Sequence, residues 1–380
     1  MKRIWLHIGM HKTGTTSVQE NLGRVGKGPG WQYLRVKVNT NMSQSIVTMF
    51  GTDMHESAWN RKKDRTRESV EEMAGQLRRK LERVIRKSKR KNLIISAEGL
   101  SNLPPEGVLA LKDFLTPLCD EIRVIGYVRP PVGFMTSIFQ QKLKHGSDEF
   151  DMGNTLPRYR HRFRKFDRHF GSENVELVKF DPKSFPNQCI VEDFCQRLRI
   201  RFPAGNEITR VNESLTREAC GILFAYRKFG PGYGIGKNVV RENSALIAPL
   251  LMLKGSRFRL SPEVTRRTLE ECREDVQWME DRLGENLDEP PVSAAGTVGS
   301  EDDLLEIPRE SCVDFAAAFS TMYGVEVPPD KIPADARADP REVAAMVQFC
   351  REELRRLPPP EPPSPANPSM MDALRRWFTL

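Results

Sequence analysis

Near the start of the chain, Gly9-Met10-His11-Lys12-Thr13-Gly14-Thr15-Thr16-Ser17 follows the apolar run Ile4-Trp5-Leu6-His7-Ile8 and precedes a helical pattern carrying Val18 and Leu22. A hydrophobic strand, a glycine-bounded loop with one lysine and several hydroxyls, and a helix N-terminus together make an anion cradle. Backbone N–H groups point at the anion, the helix dipole favours negative charge, and Lys12 adds a full positive charge. Two further features have chemical potential. Glu98 ends the apolar run Asn92-Leu93-Ile94-Ile95-Ser96-Ala97, and in open α/β sheets ligands gather at the carboxyl ends of strands. Arg129 and Ser137 stand eight residues apart across a strand-to-helix junction, offering a guanidinium fork and a hydroxyl donor. Each has an ordinary alternative: a ligand-free turn, a capping carboxylate, an arginine paired with an acid, and a serine bonded back to its own helix.

Positioning these groups requires alternating strands and helices. Trp31 to Val38 reads as a short second strand, and residues 39–66 are polar without a clear period. Arg67 to Lys91 is an amphipathic helix, with Met73, Leu77, Leu81, Val84 and Ile85 at three- and four-residue steps. The strand ending at Glu98 follows, then a helix from Pro104 to Pro117 and a strand from Ile122 to Val128 that ends in Arg129. Pro130 and Pro131 hold Arg129 extended and open the helix Val132 to Lys144, which carries Ser137. Thr155 to Phe170 has a stripe of Tyr159, Phe163, Phe166 and Phe170, with Arg158, Arg160, Arg162, Arg164, Lys165 and Arg168 covering the rest, read as a solvated face with a hold on an anionic acceptor as the alternative. Val175 to Phe180 closes the alternation. The expected fold class is therefore α/β, a central parallel sheet of about five strands flanked by helices.

Beyond Gln188 the pattern is helical: around Val191 to Leu198, Leu215 to Phe229 and Asn243 to Leu253, then Ser261 to Leu283 with Ser261 as N-cap and Gly284 beyond its end. Gly230 to Lys237 and Lys254 to Arg257 are glycine-bearing loops. Residues 285–305 read as a linker, and Arg309 to Tyr323 and Pro340 to Leu357 as two more helices, the second capped by Asp339. Pro358 to Pro365 begins a polyproline spacer before residues 370–380, where Met370, Met371, Leu374, Trp377 and Phe378 share one face.

The chain has 380 residues, 39% of them hydrophobic, enough for a substantial core. A formal charge of +8 favours anionic partners, and no nucleic-acid-binding motif is present. The seven cysteines are dispersed and never form C-x-x-C, which indicates neither a disulfide framework nor a zinc site. No apolar stretch is long enough for a signal peptide or membrane span, so the expected location is cytoplasmic.

The spacing of the first loop makes it a poor ATPase loop. Gly9 and Gly14 match the two glycines of G-x-x-x-x-G-K-[ST], but Thr15 stands where the lysine belongs, and the lysine has moved to Lys12. The loop resembles instead the 5'-phosphosulfate loop of sulfotransferases that use 3'-phosphoadenosine 5'-phosphosulfate (PAPS). Arg129 and Ser137 match the arginine and serine that hold the 3'-phosphate in that family. HIGMHKTGTTSVQ, SAEGLS, YVRPPVGFMTSIFQQ and NESLT are similar to bacterial members in particular, over residues 1–284. The resemblance implies a P-loop kinase-like sulfotransferase domain at 1–284; beyond it, the residue patterns alone give a linker at 285–305, a helical C-terminal extension at 306–357, a Pro-rich spacer at 358–369 and an amphipathic tail helix at 370–380.

It also implies roles. Lys12 would meet the bridging oxygen and the departing 5'-phosphate, with Thr13, Gly14, Thr15, Thr16 and Ser17 as hydroxyl and backbone donors. Arg129 and Ser137 would take the 3'-phosphate. Glu98 would be the base, as in heparan-type glycan sulfotransferases, with His11 as its rival; His11, beside a dianionic donor, would tend to stay protonated. Gln140, Gln141 and Lys144 are further acceptor-side candidates. PAPS would be the co-substrate, 3',5'-adenosine bisphosphate (PAP) the product, and no metal is expected. The acceptor would be a saccharide, a glycolipid or another hydroxyl compound. The tail helix would serve a homodimer or a peripheral contact with the inner face of the membrane. A small-molecule P-loop kinase and a non-catalytic nucleotide-binding or membrane-docking module are the competing classes.

Overall fold

The computed structural model describes residues 1–10, 12–61, 63–209, 214–234, 238–290, 293 and 295–357. His11, the spacer and tail at 358–380, and the second half of the Gly230 to Lys237 loop lie outside the described residues.

In chain order, the first half contains β1 (Arg3–His7), α1 (Thr15–Val25), β2 (Lys27–Gly28), β3 (Trp31–Tyr33), α2 (Ser43–Phe50), α3 (Ala58–Arg61), α4 (Arg67–Lys87), β4 (Asn92–Ser96), α5 (Pro105–Leu115) and β5 (Glu121–Val128). There follow α6 (Pro131–Lys144), α7 (Tyr159–Phe170), β6 (Val175–Lys179), α8 (Ile190–Arg197), α9 (Arg217–Phe229), α10 (Val239–Leu250), α11 (Pro262–Glu271) and α12 (Arg273–Leu283). The last helices are α13 (Glu301–Leu304), α14 (Arg309–Tyr323) and α15 (Pro340–Arg356). No helix among the described residues is long and apolar enough to cross a membrane.

The strands form one six-stranded sheet in the order β2-β3-β4-β1-β5-β6. All pairings are parallel except the short β2–β3 pair. The α/β class expected from the alternation is thus present, with one strand more than about five. Leu6, Ile94, Ile95, Val124 and Ile125 are fully buried, as unbroken apolar runs must be when helices cover both faces of a parallel sheet.

The chain forms two compact units interleaved in sequence. The first holds Met1–Pro131, Pro157–Val211 and Cys272–Asp288, and so contains the whole sheet. Its apolar interior joins Trp5, Ile94, Ile125 and Tyr127 of the strands to Val18 and Leu22 of α1 and Phe194 of α8. The second unit holds Val132–Leu156, Asn212–Glu271 and Glu289–Leu380. Its described part is helical, and the helices before and after residue 284 share one core: Phe139, Leu223, Phe224, Leu246, Phe315, Val343 and Met346 pack together.

The expected cap at Asp339 is present, accepting from Arg341 and Glu342 at the start of α15, and α4 has a cap not anticipated in the sequence, Thr66, which accepts from the Ser69 N–H. Other local expectations change. The polar region 39–66 contains α2, whose Ser45, Ile46, Thr48, Met49 and Phe50 are buried; eight residues are too few to display a period. The buried stripe of α4 runs through Val70, Ala74, Leu77, Leu81 and Ile85, leaving Met73 and Val84 at its flank. The single helix expected over 261–283 is broken at Cys272, whose φ of −113° lies outside the helical region.

Candidate functional site

The sheet order decides which loops meet. β1 lies between β4 and β5, paired in register so that His7 faces Ser96 on one side and Ile125 on the other. The chain leaves all three strands at the same edge, and neighbouring parallel strands sit about 4.8 Å apart. The Lys12 loop therefore stands between the turn carrying Glu98 and the end of β5 carrying Arg129.

The loop itself is tightly wound. Lys12 has φ of 66° and Gly14 φ of 70°; a lysine in the left-handed region is strained by about 1 kcal/mol, and such strain gathers where a loop must present its backbone to a ligand. Gly9 is needed for a different reason. A Cβ there would lie 2.3 Å from the Thr15 Oγ1, so only glycine lets the strand end close on the helix start. Thr13 is fully buried and its hydroxyl donates to the Met10 carbonyl at 2.7 Å, with the Thr15 hydroxyl 3.3 Å away. These two threonines brace the loop from within, whereas Thr16 and Ser17 are only partly buried. Gly14 is the N-cap of α1, no side chain caps that end, and its first turn has no acidic residue. The first N–H groups of the helix thus have no capping side chain among the described residues, as an anion cradle requires.

Arg129 is fastened from several sides. Its Nη1 donates to the Lys12 carbonyl, its guanidinium lies 5.8 Å from the centroid of the Phe180 ring, and its own carbonyl accepts from the Tyr159 hydroxyl at 2.5 Å. In the sequence Tyr159 reads only as a core aromatic and Phe180 only as the end of a strand. Ser137 lies on α6, in the helical unit. On that same helix Gln140 accepts from the Leu215 N–H at 2.9 Å, and Gln140 and Lys144 are both buried.

Glu98 opens a 3-10 turn, Glu98–Asn102, directly beyond β4, and is partly buried. The turn is locked by its neighbours. Ser101 donates to the Glu98 carbonyl at 2.9 Å, and the Gly99 N–H reaches the Ser43 hydroxyl on α2 at 3.0 Å. Lys165 donates to the Ser101 carbonyl at 2.7 Å, and Arg162 to the Asn102 side chain at 2.8 Å. Lys165, expected on the solvated face of α7, is instead buried; the turn carbonyl gives its ammonium a partner, and burial pushes its pKa down to about 8, Arg162 adding to the shift.

Beneath the loop lies a buried polar cluster. His7 Nδ1 is 2.8 Å from the Ser96 hydroxyl, which also accepts from Gln19 of α1 at 3.2 Å. The ring packs against Phe194 and Tyr127, and its Nε2 has no hydrogen-bond partner among the described residues. Burial pushes the His7 pKa down to about 3. It is a neutral core histidine, satisfied at one nitrogen only.

The arrangement offers a lysine, a guanidinium bonded to the loop, a set of backbone donors and a carboxylate across a single sheet edge. That suits binding of an anion next to a group that gives up a proton. No protein-family model and no curated protein matches the chain. Among solved structures, a sulfotransferase from Alicyclobacillus acidocaldarius aligns with 75% of this chain and 97% of its own, at 10% identity and a TM-score of 0.40. A likeness at that level assigns no residue a role.

Proposed function

We propose that the chain is a sulfotransferase that moves a sulfuryl group from PAPS to an acceptor hydroxyl. The observation that carries this reading is the strained Lys12 loop, closed over Gly9 and bonded to Arg129, with Glu98 on the neighbouring strand end. The residues fit the donor: a loop that Gly9 lets close tightly on Thr15, an N-terminus of α1 without a capping side chain among the described residues, and two cations, Lys12 and Arg129.

PAPS supplies the sulfuryl group, its sulfur parting from a 5'-phosphate oxygen as it bonds to the acceptor oxygen. Lys12 neutralises charge as it gathers on the departing 5'-phosphate, and the backbone donors of Gly14 to Ser17 hold that phosphate still. Arg129 takes the 3'-phosphate; Ser137 is assigned to it by sequence spacing alone. Glu98 accepts the proton of the acceptor hydroxyl, and its locked turn keeps the carboxylate aimed. A kinase reading has less support, since Thr15 stands where that chemistry needs lysine.

The deciding measurement is calorimetric titration of the protein with PAP, 5'-AMP and ATP with magnesium. PAP is expected to bind at least tenfold more tightly than AMP. Preference for ATP, or equal affinity for PAP and AMP, overturns the reading.

A further inference from the structure

The inner face of α7 locks the Glu98 turn, and its outer face has no such employment. Arg158, Arg160, Arg164 and Arg168 are exposed there, and none of them forms an ion pair among the described residues. Arg160, Arg164 and Arg168 follow one another at four-residue steps, so they line one side of the helix over about 12 Å. The nearby acids are already committed. Asp167 is bridged by Arg282 at 2.8 and 2.9 Å, Asp275 accepts the backbone N–H groups of Tyr159 and Arg160, and Asp281 accepts from Gln277.

The row has direction and shape. Its first turn adjoins the candidate site, since Tyr159 bonds to Arg129 and Arg162 to Asn102. Arg160 is steadied over the Trp278 ring at 6.0 Å. The far end opens into a depression lined by Arg164, Asp167, Arg168 and Ser172. His161, next to Arg160 in the chain, is held below the ordinary histidine range chiefly by burial, with Lys165, Arg162 and Arg158 adding to the shift.

We propose that the outer face of α7 is a docking track for an acidic, carboxylate-bearing polysaccharide, which it leads toward Glu98. Guanidinium forks pair well with planar carboxylates, and a row of them binds a polymer by many contacts that are weak singly. The apolar side chains Tyr159, Phe163, Phe166 and Phe170 all face inward, so the face offers nothing to insert into a bilayer and no free aromatic platform for nucleic-acid bases. A polysaccharide also carries the hydroxyls that sulfuryl transfer consumes, and to that extent the proposal rests on the function proposed above.

The test uses the full chain and the triple variant Arg160→Glu, Arg164→Glu, Arg168→Glu, with circular dichroism and thermal melting to verify folding. Binding of fluorescent polygalacturonate is measured by anisotropy at 50 and 150 mM salt, beside phosphatidylglycerol vesicles and duplex DNA. Expected are binding of polygalacturonate that weakens with salt, at least a tenfold loss in the triple variant, and equal PAP affinity in both proteins. If the triple charge reversal prevents folding, Arg164→Gln with Arg168→Gln replaces it, with at least a threefold loss expected. Absence of polygalacturonate binding, an unchanged affinity in the variant, or preference for vesicles or DNA overturns the proposal. Failure of PAP to bind, with polygalacturonate binding intact, would instead remove the sulfuryl-transfer reading.

Discussion

The guanidinium of Arg129 donates a hydrogen bond to the backbone carbonyl of Lys12, 117 residues earlier in the chain. One arginine thus holds the loop proposed to cradle a 5'-phosphate and is itself proposed to meet the 3'-phosphate. Replacing it should be felt at both ends of the nucleotide, unequally. A hydrogen bond from a charged donor contributes about 1.5–3 kcal/mol, so Arg129→Ala is expected to weaken AMP by roughly tenfold through the loosened loop, and PAP by roughly a hundredfold more. Titration calorimetry with the two nucleotides reads the difference. Equal losses would mean that the arginine serves the loop alone.

Gly9 is a purely steric requirement. With a Cβ placed 2.3 Å from the Thr15 Oγ1, Gly9→Ala must displace α1 or the strand end, and overpacking of this kind costs about 1–3 kcal/mol. Urea unfolding should register that loss, and nucleotide affinity should fall with it. A variant of unchanged stability and affinity would show that the loop does not depend on this close approach.

Glu98→Gln keeps the shape of the turn and removes the proposed base. PAP affinity is expected to stay within about twofold, while transfer of labelled sulfate falls on the order of a hundred- to ten-thousandfold. Retained turnover would assign proton removal to another residue, His11 foremost.

His7 makes stability depend on pH in a defined window. Its folded pKa, about 3, lies below the ordinary 6.5, so the unfolded chain binds the proton more readily. The contribution is fully present above pH 6.5 and declines as pH falls toward the folded value, by about 1.4 kcal/mol per pH unit. Between pH 6.5 and 5 the wild type should lose roughly 2 kcal/mol more than His7→Phe in urea unfolding. Parallel pH profiles would rule out the neutral buried imidazole.

In the helical unit, Arg351 is almost wholly buried, and its guanidinium bonds Glu242 at 2.9 Å, the Tyr226 hydroxyl at 2.9 Å, and the carbonyls of Gly232 and Tyr233. Arg227 reaches the same Gly232 carbonyl and Asn243. The described part of the Gly230 to Lys237 loop, glycine-rich in sequence, is therefore pinned by two buried arginines. Arg351→Met leaves Glu242 with only the half-exposed Arg355, and removing one partner of a buried pair costs about 3–5 kcal/mol. A fall in the unfolding midpoint is expected, together with new proteolytic cleavage near Gly232; an unchanged cleavage pattern would refute the pinning.

Local chemistry by itself determined the strand-loop-helix at the N-terminus, because an apolar run, two glycines and a following amphipathic period are signals read within a few residues. The same holds for the cap at Asp339, and for Glu98 at the end of β4. Short or compensated elements were not legible: α2 is too brief to show a period, and the break at Cys272 interrupts a pattern that is helical on both sides. Lys165 is polar by type, and only the Ser101 carbonyl opposite it explains its burial. What tertiary structure alone decided was adjacency. The order β4-β1-β5 puts Glu98, Lys12 and Arg129 on neighbouring strand ends, although the chain visits them at positions 98, 12 and 129. Strand order depends on which apolar faces pair across long chain separations, a free energy summed over the whole core, and no window of sequence around any one of those residues contains it.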